Sequence, residues 1–160
     1  MFNKGDKIVY PLYGAGVIED LEVKQIDGVT ETYYVLNIPV SNLKIMISAT
    51  KAEGLGIRQV YSKEQVLDII KSQDLPAAAT NQNWNQRYKE NLEKIKSGKL
   101  SEVTSVFKNL LSREKSRSLS SAEKKMLTTA KQIIVSEIAV SQNIEKSEAE
   151  VILFEAILPL

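Results

Sequence analysis

The apolar residues of this chain change their period once. Through the first sixty residues, β-branched and aromatic residues come in short runs broken by Gly, Pro and Asp, the mark of strands. From residue 83 onward they recur at spacings of three and four, the mark of helices. A chain ordered in this way predicts an α+β fold: a small, strongly bent N-terminal sheet or SH3-like barrel, then an all-α helical bundle.

Local signals fix many of the elements. KIVY is one strand, stopped by Pro11. AGVIEDLEVKQI and VTETYYVLNI flank Asp27-Gly28, a pair suited to a two-residue type I′ turn, whose central residues both need positive φ. In NLKIMIS, Leu43, Ile45 and Ile47 alternate with Lys44, Met46 and Ser48, giving one apolar and one mixed face. Ser62 with Gln65 predicts a capped helix that ends near Ser72. The segment QDLPAAATNQN, with one proline and no apolar period, reads as a linker. The expected domains are therefore residues 1–72, a linker at 73–83, and a helical domain at 84–160.

In the helical half, Asn83 and Gly98 bracket a helix carrying Tyr88, Leu92 and Ile95. Val103, Val106, Phe107, Leu110 and Leu111 share a face of the next. Ser120 with Glu123, and Ser147 with Glu150, predict capping boxes ahead of two further apolar helices.

Composition narrows the chemistry. With 160 residues and 43% hydrophobic content the chain can bury a core. It holds no cysteine and no histidine, which removes disulfides, thiolate nucleophiles and the commonest general base and metal ligand. There is no phosphate loop, no G-x-S-x-G, no apolar run of spanning length and no signal-peptide core. Glu19, Asp20 and Glu22 cluster, but in a strand Glu19 faces away from the other two, so a solvated edge is expected. These readings predict a cytoplasmic, non-enzymatic protein with no metal, cofactor, membrane or small-molecule substrate.

The net charge of +1 hides an asymmetry. Residues 85–131 hold 12 basic against 5 acidic side chains, net +7, while residues 1–76 are net −2 and 132–160 net −4. Arg113, Lys115, Arg117, Lys124 and Lys125 are close in sequence, as a polyanion-binding surface requires, though a solvated helix face has the same composition. Trp84 is the only tryptophan. A lone tryptophan in a small domain is ordinarily a core residue. Here it sits among amides at a helix start, followed by Arg87 and Lys89, where an aromatic ring can stack on a base or enter the minor groove. Both readings stand on residue type alone.

The residues also resemble the CarD and CdnL family of bacterial transcription regulators over essentially the whole chain. The resemblance is carried by the opening FNKGDKIVYPLYGAG, by NWNQRYKENLEKIKSG and by LSSAEKKMLTTAKQII, in that order. It implies a Tudor-like N-terminal domain, of a type shared with the transcription-repair coupling factor, that binds the β subunit of RNA polymerase. It implies a helical domain that contacts promoter DNA at the upstream edge of the bubble and stabilises the open complex, which would associate the protein with the nucleoid through polymerase. On this resemblance Trp84 enters the minor groove, Lys89, Lys124 and Lys125 contact DNA, and Lys24 and Met46 mark the face toward polymerase; Arg87 and Arg113 of the basic block are further DNA-contact candidates, and Ile45 and Ile47, beside Met46, further polymerase-facing ones. Met46 and Gln86 depart from the family pattern, standing where some members have arginine. The alternative is a protein–protein adaptor of the transcription machinery without direct DNA contact.

Overall fold

The computed structural model describes residues 1–76 and 83–157. The strands are β1 (Lys7–Tyr10), β2 (Gly14–Ile26), β3 (Val29–Ile38), β4 (Leu43–Ser48) and the short β5 (Arg58–Gln59). The helices follow: α1 (Lys63–Lys71), α2 (Trp84–Lys96), α3 (Leu100–Ser116), α4 (Ser121–Gln142) and α5 (Lys146–Ile157). The α+β order read from the sequence is the order observed. Most of the expected linker, residues 77–82, lies outside the described residues.

All neighbouring strands pair antiparallel in the order β4-β3-β2-β1-β5. Asp27 and Gly28 take φ of 52° and 79°, as a type I′ turn requires, and Ile26 pairs with Val29 across it. The register slips once, between Ile18 and Asp20, leaving Glu19 as the extra residue of a bulge. That slip overturns the expected alternation. Asp20 pairs through Val35 with Met46, and the Glu19 carboxylate reaches Lys44 Nζ at 3.0 Å, so both acids serve the outer face. The inner face holds Ile8, Ile18, Tyr34, Leu36, Ile38 and Ile47 over Ala52.

The helices share a second core, from Ile95, Val103, Val106, Phe107 and Leu110 through Met126, Ile134 and Ile138 to Leu153. Val66 and Ile70 of α1 belong to this core. The expectation grouped α1 with the sheet in residues 1–72, but its apolar stripe finds partners on α3, α4 and α5 because the sheet's inner face is filled by its own strands. Ser62 and Gln65 form the predicted box, and Asn83 and Ser120 cap α2 and α4 with their side-chain oxygens. Ser147 is no cap: α5 opens at Lys146, and the Ala149 N–H donates to the Glu145 carbonyl.

Sheet and bundle meet along α4. Val9 and Ala15 pack on Val140, and the Ala15 N–H donates to Ser136 Oγ at 2.8 Å. Gly14 permits that approach: its φ is 115°, and a Cβ there would fall 2.6 Å from Ser136 Oγ. Arg58 locks the seam. Its Nη1 and Nη2 donate to the buried Glu137 carboxylate at 2.8 and 2.7 Å, and its Nε donates to the Gly98 carbonyl at 2.8 Å. A two-pronged charged contact of this kind fixes orientation more than it adds stability.

Candidate nucleic-acid interface and docking face

Trp84 opens α2, where the Asn83 cap sets the helix start and so the direction of the ring. Trp84 is 41% exposed, so it is not a core residue. It stacks on Tyr88, one turn later, with centroids 5.7 Å apart and planes 14° from parallel. Its Nε1–H donates to Ser120 Oγ, the cap of α4, at 3.1 Å. A flat ring is thus held in place at the junction of two helix N-termini while much of its surface stays in water. Helix N-termini carry partial positive charge, and Lys124 and Lys125 stand exposed one turn into α4. Among the described residues neither lysine pairs with a carboxylate. Lys89 is exposed on α2 and Arg113 half-buried on α3.

Arg87 departs from expectation. Its side chain is buried, with Nε and Nη2 donating to the Glu123 carboxylate at 3.2 and 3.4 Å. Burial raises the Glu123 carboxyl, but the hydrogen bonds and charge of Arg87, helped by Ser120, outweigh it and hold the group below the usual carboxylate range. Arg87 therefore ties α2 to α4 and is not offered to solvent as a DNA contact. Other members of the basic block are also held by the protein. Lys108 turns onto the Ser72 carbonyl at 3.3 Å, and burial lowers its ammonium pKa. Lys94 and Lys131 pair with Glu102 and Glu150.

On the sheet, strand alternation divides the expected polymerase-facing set. Ile47 is 2% exposed in the inner core and cannot face a partner. Ile45 is half-buried against the same core. Met46 is 42% exposed on the outer face, and Lys24 Nζ lies 3.6 Å from its Sδ. Beside them the Glu31 carboxylate, opposite Lys24 in register, accepts from the Ser48, Thr50 and Tyr33 hydroxyls. Those bonds, led by Ser48, hold its carboxyl below the usual range. Among the described residues no cluster of acids is placed to hold a metal ion, and no helix is long and apolar enough to cross a membrane.

The residues that sequence reasoning missed are Tyr88, Ser120 and Glu123 as supports of Trp84. Their signals were present as an aromatic pair at i and i+4 and a capping box, but the pairing of Arg87 with Glu123 spans 36 positions and has no local signature.

Comparison with known proteins agrees with this anatomy. Residues 2–61 match the family model described as CarD-like/TRCF RID domain, and residues 65–154 match the one described as CarD, C-terminal domain. The two matches part ahead of α1, where the packing of Val66 and Ile70 also divides the chain. The chain is similar to "Putative transcription factor YdeB" of Bacillus subtilis (strain 168), at 35% identity over 151 residues that span 92% of this chain and 97% of that protein. With both models matched in order along one chain and a relative aligned nearly end to end, this protein belongs to the CarD family.

Proposed function

We propose that this chain is a transcription factor that docks on the β subunit of bacterial RNA polymerase and stabilises the opened promoter. The observation that carries the reading is Trp84: an exposed ring, stacked on Tyr88 and bonded to Ser120, beside the exposed Lys124 and Lys125 of α4. A ring held in this way can stack at an unpaired step in the minor groove with little ordering cost. Lys89, Lys124, Lys125 and Arg113 serve as phosphate contacts, which position without reading sequence. Arg87 positions the ring through Glu123. Lys24 and Met46 form the docking face, with Ile45 behind them.

Open and closed promoter forms lie close in free energy, so a ligand that binds only the open shape shifts the balance by its differential affinity. Docking on polymerase raises the local concentration of the helical half at the bubble, so a modest basic patch suffices. The test is binding of the full chain to a forked promoter template with polymerase present. The reading expects affinity that falls with salt and that exceeds the affinity for the fully paired duplex. Equal affinity for forked and paired templates, or binding indifferent to salt, would favour an adaptor that touches protein alone.

A further inference from the structure

The chain holds three methionines, and the fold gives them unlike surroundings. Met1 is fully exposed at the N-terminus, and Met126 is 5% exposed in the helical core. Met46 alone is both exposed and fixed in a regular element, on the outer face of β4, the edge strand of the sheet. Val35 pairs with it on β3, and Lys24 reaches over from β2 to place Nζ 3.6 Å from its Sδ. The same ammonium lies 4.0 Å from the Glu22 carboxylate. A thioether is a weak acceptor, so the lysine is held lightly and its charge stays available to a partner. The thioether is also soft and readily oxidised, and exposure decides which methionines of a protein react.

We propose that Met46 is a peroxide-sensitive modification site whose sulfoxide releases the chain from polymerase. This rests on the proposed docking of the Lys24 and Met46 face on the β subunit. A lone pair of Sδ attacks one oxygen of hydrogen peroxide, and the S–O bond forms as the O–O bond breaks. The departing hydroxide takes the proton of the attacked oxygen and leaves as water. Sulfur gives up two electrons and the peroxide accepts them. The product is a strong acceptor beside a lysine. Its oxygen takes a charge-assisted hydrogen bond from Lys24 Nζ in place of the sulfur contact, which ties up both residues of the face at once. A pliable apolar side chain has then become a polar one, which costs free energy to bury against a partner. The linkage runs both ways: a partner that covers Met46 also shields it from peroxide.

The test treats the full chain with dilute hydrogen peroxide, quenches with catalase, maps each methionine by mass spectrometry and titrates the product with the polymerase β subunit. Met46 should oxidise far faster than Met126, with melting unchanged because its side chain belongs to no core. The β subunit at saturation should slow the oxidation of Met46 but not that of Met1. The oxidised chain should bind the β subunit about tenfold to a hundredfold more weakly, and methionine sulfoxide reductase should restore it. Met46→Leu, whatever its own affinity, should show no change on peroxide treatment, since Met1 is then the only exposed methionine. The proposal is overturned if Met46 reacts no faster than Met126, if a fully oxidised Met46 leaves affinity unchanged, or if Met46→Leu loses as much affinity as the parent chain. Shielding tells the two readings apart. With affinity unchanged, a shielded Met46 refutes the sulfoxide effect alone, whereas an unshielded one refutes the docking face too. An untreated chain that does not bind the β subunit refutes both.

Discussion

The bundle and the sheet expose their proposed contact residues by opposite means. At the bundle edge the exposed ring of Trp84 ends a bonded chain that runs through Ser120 and Glu123 to the buried Arg87. Its position depends on partners far away in sequence. On the sheet, Met46 and Lys24 face outward because alternation sends their neighbours inward, and a single 3.6 Å contact joins them. Damage at the bundle edge should therefore spread from a buried charge to the surface, whereas damage on the sheet should stay where it is made.

The largest expected effect comes from Glu123→Ala, which leaves the Arg87 charge buried without its main acidic partner and should cost about 3 to 5 kcal/mol in a denaturation experiment. A loss under about 1 kcal/mol would mean that the chain of bonds does not hold α2 to α4. The same pair sets a pH dependence. Because the folded carboxyl of Glu123 is lowered, its stabilisation is present above the unfolded carboxylate pKa and is lost as pH falls through the folded value. The stability gap between the parent chain and Glu123→Gln should close in acid.

The sheet offers a sharper contrast between adjacent residues. Ile47→Ala, in the inner core, should cost about 2 to 5 kcal/mol, whereas Met46→Ala should stay within about 0.5 kcal/mol while weakening polymerase binding in a pull-down titration. Equal stability losses would show that the outer face is not a free surface. The smallest expected effects are those of Lys124→Ala and Lys125→Ala. Each should leave melting unchanged and make the slope of log affinity against log salt shallower by about one unit on a forked template. An unchanged slope would return both lysines to a merely solvated face.

What the sequence disclosed was what local chemistry decides. The Asp27-Gly28 turn, the Ser62 and Asn83 caps and the helical spacing of Tyr88, Leu92 and Ile95 each depend on residues within a few positions. The alternation in NLKIMIS already puts Ile47 on the apolar face with Leu43 and Ile45, at odds with a place among the polymerase-facing candidates. What stayed hidden depends on the third dimension. An apolar stripe on α1 does not say which core it fills, and no pattern marks Glu19 as a bulge. The charge of Arg87 reads as available until its partner on α4 is seen. The exposure of Trp84 was undecided for the same reason, since burial belongs to the packed helices and not to the residue.

The central claim is that Trp84 spends its ring on opened DNA and not on the fold. It is tested most directly by measuring, on one Trp84→Ala preparation, both thermal stability and the lifetime of the promoter open complex with polymerase. The account predicts a stability loss below about 1.5 kcal/mol, the worth of one exposed hydrogen bond and some packing. It predicts an open complex that decays several-fold to about a hundredfold faster, from about 1 to 3 kcal/mol of lost stacking, with Trp84→Phe keeping part of the effect. A variant that melts early by about 3 kcal/mol or more, or one whose open complex lives as long as that of the parent chain, would contradict it.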